Sequence, residues 1–303
     1  MKQLSVFLFI LVCTLFVFPR QLIYAHQPRI VGDGITEVQN PEVSQAFYGE
    51  LKGTPAEFRI QSSQDFRLYV GILVPDISNI HKDISAEIYR VNNGKTESIA
   101  VLDGSHFTWT PFFEDFARDN YFWGPEFKAD DSIKGQELKG RPVGAGEYRI
   151  KVFSPTNTGK YTLVTGFLEV FPFKEILNAT ITVPQLKVHF FNYPLSVLIV
   201  SPYVSGYIVV MYILSFIIGF LYRWVIKRFV RKSVKKNVRS GGNNIGMPDR
   251  LFRAAIGIFL FIWAVATSWS PILLFFSGFC LFEAVFSWCA FYQAIGKNTC
   301  PIG

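Results

Sequence analysis

The stretch Tyr203–Tyr222, YVSGYIVVMYILSFIIGFLY, carries no charged residue, and the uncharged run around it extends from Phe190 to Tyr222. A helix over this stretch is long enough to cross the roughly 30 Å hydrocarbon core of a bilayer. Tyr at both ends suits the two water interfaces. A buried core helix would show similar composition, but the next residues argue against it. Arg223–Arg239, RWVIKRFVRKSVKKNVR, holds eight Lys/Arg and no acid. A basic cluster beside a span marks the cytoplasmic side, so residues 26–190 are expected outside.

The N-terminus gives an independent cue. Lys2 precedes an uncharged run, Leu4–Phe18, and then Pro19 to Ala25. This order fits a secretory signal peptide over residues 1–25, with cleavage after Ala25. The alternative is an uncleaved anchor, for which the apolar run is short against the roughly 20 residues a span needs.

Charge is divided unevenly. Residues 26–190 hold 17 Lys/Arg against 21 Asp/Glu, while residues 191–303 hold 11 Lys/Arg against only Asp249 and Glu283. The net charge of +7 therefore arises from the membrane part and gives no argument for nucleic acid. Arg223, Lys227, Arg228, Arg231, Lys232, Lys235, Lys236 and Arg239 are expected along the inner membrane surface, bound to acidic phospholipid.

From Ala254 to Phe282 there is again no charge, and Ser268-Trp269-Ser270-Pro271 interrupts the run. Two spans with a tight outer turn are expected, which returns the C-terminus to the cytoplasm. The first borrows length from the amphipathic segment MPDRLFR, Met247–Arg253, whose Arg250 and Arg253 are expected to snorkel. The organisation is then a signal peptide (1–25), an extracytoplasmic β-sandwich (26–190), a first transmembrane helix (191–222), a basic linker (223–242) and a two-helix hairpin with a Cys-containing tail (243–303).

Residues 45–175 read as β. Phe66–Leu73, Ser85–Val91, Glu147–Phe153 and Lys160–Gly166 alternate in polarity and are separated by turns such as Asn92-Asn93-Gly94 and Pro155-Thr156-Asn157. Short strands at this spacing argue for an all-β antiparallel sandwich. The fold class expected is this sandwich outside the membrane plus three transmembrane α-helices. No cysteine lies in the β region, so its stability must come from its core.

Between Phe107 and Phe127, FTWTPFFEDFARDNYFWGPEF packs nine aromatics among acids within a forty-residue segment, His106–Ala145. Such a segment is either a ligand-binding lobe, with Trp109, Tyr121 and Trp123 as stacking faces, or a satellite core capping the sandwich.

Other chemistry is sparse. Cleavage would leave His26 as an N-terminal residue able to chelate copper or nickel, with His81 or His106 completing a site; a solvated terminal His is the bland alternative. There is no nucleophile elbow, phosphate loop or zinc spacing, and no enzyme activity or cofactor is expected. Cys280 reads as an apolar filler within the third span. Cys289 and Cys300 flank a helical turn on the cytoplasmic side, as a reduced pair open to redox or sulfur chemistry or as structural cysteines. Lys297 would favour a thiolate nearby. Glu283, ionisable within a span, is a functional-site hypothesis by default; it is otherwise neutral and bonded to Ser277, Ser287 or a neighbouring helix.

The C-terminal residues carry a resemblance. Asn244-Ile245-Gly246, Asp249-Arg250, Arg253, Gly257, Cys289, Tyr292, Gly296 and Thr299-Cys300-Pro301 resemble a small bacterial inner-membrane domain family, found alone and attached to rhodanese sulfurtransferase domains. The resemblance implies a two-helix membrane hairpin, often dimeric, and no enzyme activity by itself. The chain departs from it at Ala290, where many members have Pro, and at Glu283, where Gln or a small residue is expected. Gly146–Gly166, GEYRIKVFSPTNTGKYTLVTG, also resembles the closing hairpin of secreted pre-peptidase C-terminal β-sandwiches. Together these features point to a membrane-anchored binding or sensing protein of the bacterial plasma (inner) membrane. A redox or sulfur relay through Cys289 and Cys300 is the alternative, and metal handling through His26 a third. Expected partners are membrane lipid, acidic phospholipid, a second copy through the hairpin, and an outer ligand that the sequence does not name.

Overall fold

The computed structural model describes residues 26–114, 117–129, 140–194, 196, 201–233, 243–295 and 297–300. The expected signal peptide therefore lies outside the described residues. So do Asp115, Asp130 and Asp131 of the aromatic segment, Lys235, Lys236 and Arg239 of the basic cluster, and Gly296 and Pro301 of the tail. The chain divides into two units, residues 1–182 with 190–192, and residues 183–189 with 193–303.

The first unit is a two-layer β-sandwich. Among the described residues its strands run as β1 (Gln27–Ile30), β2 (Thr36–Val38), β3 (Gln45–Lys52), β4 (Ala56–Ser62), β5 (Phe66–Leu68), β6 (Val70–Pro75), β7 (Ser85–Asn92), β8 (Lys95–Leu102), β9 (Thr110–Glu114), β10 (Asp119–Phe127), β11 (Arg141–Val143), β12 (Gly146–Phe153) and β13 (Thr158–Thr165). One sheet has the order β1-β3-β13-β6-β10-β9, the other β2-β4-β12-β7-β8, and β11-β5 form a small ladder. The sheets are mixed rather than wholly antiparallel, because β1 runs parallel to β3 and β2 parallel to β4. Both of these short strands come from the lead-in before residue 45, which lies outside the stretch whose alternation was readable.

The core forms where the two inner faces meet. Phe58 of one sheet packs edge-on against Phe47 and Tyr161 of the other, with ring centroids 5.4 and 6.4 Å apart. Ile60, Ile72, Ile88, Ile150, Val152 and Leu163 fill the layer around them. The expected Asn-Gly turn is present: Asn93 and Gly94 both take positive φ, 49° and 76°. This two-residue connection matches the twist of a β7–β8 hairpin.

The strand expected over Phe66–Leu73 is broken at Tyr69. β5 pairs with β11, while β6 enters the six-stranded sheet. All six residues of β6 are buried, because its outer face is covered as well. A second aromatic core does this. Phe190 meets Tyr48 at 5.2 Å, Phe191 meets Tyr121 at 5.3 Å, and Lys160 Nζ donates to the carbonyl of Phe190 at 2.7 Å.

Helix α1 (Phe173–Gln185) was not legible in the sequence. Its Ile176, Thr180, Ile181, Thr182 and Val183 are β-branched and weak helix formers. Glu175 in the first turn favours the start. A short π-helical turn, Leu186–Phe190, follows.

The second unit is helical: α2 (Pro202–Ser233), α3 (Met247–Thr267), α4 (Pro271–Phe286) and α5 (Ala290–Ile295). Among the described residues two segments are long and apolar enough to cross a membrane, Val204–Ile226 and Met247–Thr267; α4 is shorter. The helices approach closely where side chains are small. A Cβ on Gly278 of α4 would lie 2.8 Å from Ser215 Oγ of α2, and one on Gly257 of α3 3.0 Å from Leu281 of α4. Small residues at such contacts are what apolar solvent requires, because packing rather than hydrophobicity drives helix association there.

Candidate functional site

Among the described residues of the helical unit, a set of interlocked polar groups lies where α3 begins and α4 ends. Asn244, buried ahead of α3, turns its amide onto one residue. Its Nδ2 donates to the Cys289 carbonyl at 2.8 Å, and the Cys289 N–H donates to its Oδ1 at 2.7 Å. The amide side chain thus replaces a neighbouring strand. Asn244 N–H also donates to the Ser287 carbonyl at 3.0 Å. Ser287 adopts φ +50° as the left-handed cap of α4, which turns the chain so that residue 289 reaches Asn244.

The tail closes over this junction. Thr299 N–H donates to the Asn244 carbonyl at 3.1 Å. Thr299 Oγ1 accepts from Gly246 N–H at 3.1 Å and donates to the Asp249 carboxylate. Asn244, Gly246, Asp249, Cys289 and Thr299 are thus one hydrogen-bonded unit. Nothing in their separate spacing along the chain signalled it beyond the resemblance.

Arg253 and Glu283 lie beside it. The Arg253 guanidinium pairs with the Glu283 carboxylate and lies 5.3 Å from the Tyr292 ring centre. Arg250 Nε donates to the Ala284 carbonyl at 2.8 Å. Where snorkelling was expected, both arginines engage α4, Arg250 through the Ala284 carbonyl and Arg253 through the buried Glu283 carboxylate. Glu283 is 5% exposed. Its bond crosses to the neighbouring helix α3, whereas Ser277 donates to the Gly257 carbonyl at 2.8 Å.

Cys289 is 2% exposed and Cys280 and Cys300 are half-buried; all three are free thiols. Burial pushes the Cys289 thiol up, and the Glu283 carboxylate beside it adds to the shift. At Cys289 this runs against the expectation of a thiolate favoured by Lys297. The Lys297 ammonium sits 4.7 Å from the Tyr292 ring centre instead. A raised pKa leaves less thiolate, the reactive form, at Cys289.

The basic cluster divides between described and undescribed residues. Arg223, Lys227, Arg228, Arg231 and Lys232 continue α2 beyond the apolar span. Arg223 lies 5.7 Å from the Trp288 ring centre and Arg228 5.4 Å from that of Trp224.

In the β unit, Thr110–Glu114 and Asp119–Phe127 of the aromatic segment are strands. β9 and β10 form a hairpin on the edge of the six-stranded sheet. Tyr121 is 3% exposed, and its hydroxyl meets that of Tyr48 at 3.2 Å. It belongs to the second core and presents no open stacking face. Trp109 donates its indole N–H to the Gly104 carbonyl at 2.9 Å and packs on the main core. Trp123 meets Phe112 at 4.9 Å. Burial, largest among the causes, raises the hydroxyl pKa of both Tyr48 and Tyr121.

His26 bonds Ser44 through Nδ1, His81 faces Asp83 at 3.7 Å, and His106 meets Asp103 at 2.8 Å. Among the described residues no group of three or more His, Cys, Asp or Glu side chains could hold a metal, so the structure does not gather the three histidines. A cleft of about 340 Å³ opens at the β1 and β2 edges, lined by Gln27, Arg29, Thr36, Gln45, Phe47 and Glu175 among others. No sequence motif announces it. Arg29 and Glu175 pair across it at 2.7 Å.

No curated protein matches the chain. Among solved structures, the pre-peptidase C-terminal domain of a collagenase from Bacillus anthracis shares 7% identity, with 45% of this chain and 96% of that chain covered, at a TM-score of 0.25. AvmM, described as catalysing macrocyclization in alchivemycin A biosynthesis, shares 13% identity over 45% of this chain and 62% of its own, at a TM-score of 0.16. Residues 242–303, the part that holds the Asn244–Cys289–Thr299 unit, match the family model described as the inner membrane protein YgaP-like transmembrane domain.

Proposed function

We propose that the protein is a binding or sensing protein of the bacterial cell envelope, held by three membrane-crossing helices with its β-sandwich outside. The observation that carries the proposal is the pairing of a membrane domain with a β unit that is folded around its own core and open at one edge. The cleft there mixes amide, charged and apolar side chains, as small-ligand sites do. The buried thiol and the inward-turned ion pair favour binding over catalysis.

Geometry supports a third crossing. At one end, Tyr207 Oη of α2 donates to the Trp269 carbonyl, just before α4, at 2.9 Å. At the other, Tyr222 and Trp288 rings lie 6.4 Å apart. α4 therefore covers the same stretch as residues 207–222 of α2, roughly 22 Å at 1.5 Å per residue. The basic residues from Arg223 onward favour the cytoplasm for the second end.

Two arms test the proposal. A periplasmic-type reporter fused at Lys174 should be active, and cytoplasmic-type reporters at Gly242 and Gly303 should be active. The full chain in nanodiscs should show a thermal shift with one class among amino acids, short peptides and oligosaccharides, and Thr36→Trp should abolish it with melting unchanged. An outside signal at Gly303 overturns the hairpin. No shift with any class overturns the binding role.

A further inference from the structure

The cleft at the β1 and β2 edges opens from the core layer of the sandwich. Gln27 and Arg29 of β1 stand in register with Gln45 and Phe47 of β3, and Thr36 of β2 with Phe58 of β4. Phe47 and Phe58 belong to the core. Side chains in the same row as a core residue, or two places along from it, share its face of the sheet. Gln27, Arg29, Gln45 and Thr36 therefore turn toward the space between the sheets, and the cleft is where that space reaches the surface. All of its lining residues belong to the β unit.

Hydrogen bonding inside the cleft leaves acceptors over. Gln45 is 4% exposed, and its Nε2 faces the Gln39 carbonyl at 2.7 Å and those of Asn40 and Val43 at 3.4 Å. Three acceptors around Nε2 turn Oε1 the other way, into the cleft that Gln45 lines, where no donor among the described residues meets it. The Thr36 hydroxyl likewise meets no partner among the described residues. Arg29 directs both terminal nitrogens at protein acceptors: Nη1 donates to Glu175 Oε2 at 2.7 Å and to the Pro28 carbonyl at 3.1 Å, and Nη2 to Gln27 Oε1 at 2.7 Å. Gln27 Nε2 donates to the Val170 carbonyl at 2.6 Å. Glu175 uses Oε2 alone in this chain of bonds, which leaves Oε1 as an acceptor. A buried acceptor without a donor is costly, and a ligand N–H removes that cost.

We propose that this cleft takes a small aliphatic primary ammonium compound. Its N–H groups donate to Gln45 Oε1, Thr36 Oγ1 and Glu175, and its alkyl chain lies against Ile30 and Val170, which line the same cleft and are 54% and 48% exposed. The Glu175 carboxylate favours a cation over a neutral donor, since a hydrogen bond between charged groups is the stronger kind. An anion is disfavoured because Arg29 is already neutralised by Glu175. An oligosaccharide needs an open ring to cover the C–H face of a sugar, and Phe47, the aromatic ring that lines the cleft, is 2% exposed. The inference rests on the binding role proposed above and names the ligand class for that cleft.

The test is isothermal titration of the full chain in phosphatidylcholine nanodiscs, with empty nanodiscs as the blank. The probes are cadaverine, the uncharged pentane-1,5-diol of the same length, glutarate and maltotriose. Cadaverine should bind about thirtyfold more tightly than any of the others. Thr36→Trp, which fills the cleft, should abolish its heat with melting unchanged. Glu175→Gln should weaken cadaverine about tenfold and Thr36→Val about threefold. Equal or tighter binding of the diol, glutarate or maltotriose, abolished by Thr36→Trp, overturns the inference and leaves the binding role intact. Cadaverine heat that survives Thr36→Trp also overturns it, because the amine then sits elsewhere. Heat from none of the probes overturns the inference, and a thermal shift with none of the wider ligand classes overturns the binding role as well.

Discussion

Replacing Asn244 by Ala removes both hydrogen bonds to the Cys289 backbone, and the loss can be sized from the geometry. The Cys289 N–H and C=O are each bonded to this one side chain, at 2.7 and 2.8 Å, in a residue only 2% exposed. A buried backbone group left without a partner costs about 1–3 kcal/mol. Two groups give about 2–6 kcal/mol, and partial relaxation brings the expected value to about 3 kcal/mol. If opening of the tail exposes the Cys289 thiol by a local fluctuation, that loss raises the open population roughly 100-fold, at about 1.36 kcal/mol per tenfold. The assay is native-state labelling with N-ethylmaleimide of the full chain in nanodiscs, with peptide mass spectrometry separating Cys289 from Cys300. In the unsubstituted protein Cys300 should react first. In Asn244→Ala, Cys289 labelling should accelerate about 100-fold, with Cys300 changed little. Asn244→Asp keeps an acceptor for the Cys289 N–H but loses the donor to its carbonyl, and should fall between. Cys289 labelling within twofold of the parent in Asn244→Ala would refute the reasoning.

Other outcomes follow from the same packing. Arg253→Leu should destabilise the helical unit by on the order of 3 kcal/mol in detergent unfolding, because it strands a buried carboxylate; Arg253→Leu with Glu283→Leu should recover most of it, and an equally unstable double variant would count against the pair. Trp109→Ala should cost the β unit about 3 kcal/mol, read as a lower melting midpoint, and an unchanged midpoint would restore the open-lobe reading. For Tyr48 and Tyr121 the folded pKa lies above the unfolded value of about 10. The unfolded chain therefore loses protons first as pH rises, and β-unit stability should be constant below about pH 9 and fall above about pH 10; tyrosinate absorbance from these two before unfolding would contradict it. Thr299→Val should also speed Cys289 labelling, by about tenfold, through loss of the Asp249 and Gly246 bonds.

The amino-acid sequence by itself determined what depends on composition and short-range order. Charge-free runs with basic flanks located the membrane part, since partition into lipid is a property summed over a helix and needs no tertiary partner. Alternation over Ser85–Val91 and Glu147–Phe153, with Asn93-Gly94 between strands, located the sheet and a turn, because side-chain period and positive φ are local. The spaced motif from Asn244 to Thr299 located the stretch that matches the inner-membrane family model.

The tertiary structure decided everything that depends on which distant residue supplies a partner. Nothing local says that Asn244 will pair with the backbone of Cys289, or that Arg253 will turn to Glu283 instead of to water. Both follow from α4 ending in a left-handed Ser287 that brings residue 289 back to the start of α3. Tyr121 read as a stacking face until Phe190 and Phe191, seventy residues on, covered it. α1 was hidden because β-branched residues bias the chain toward extended structure, and only packing of Ala179 overrules that bias. Local free energies are small beside the cost of an unpaired buried polar group, so the long-range bonds, which sequence order does not encode, had the last word at the site.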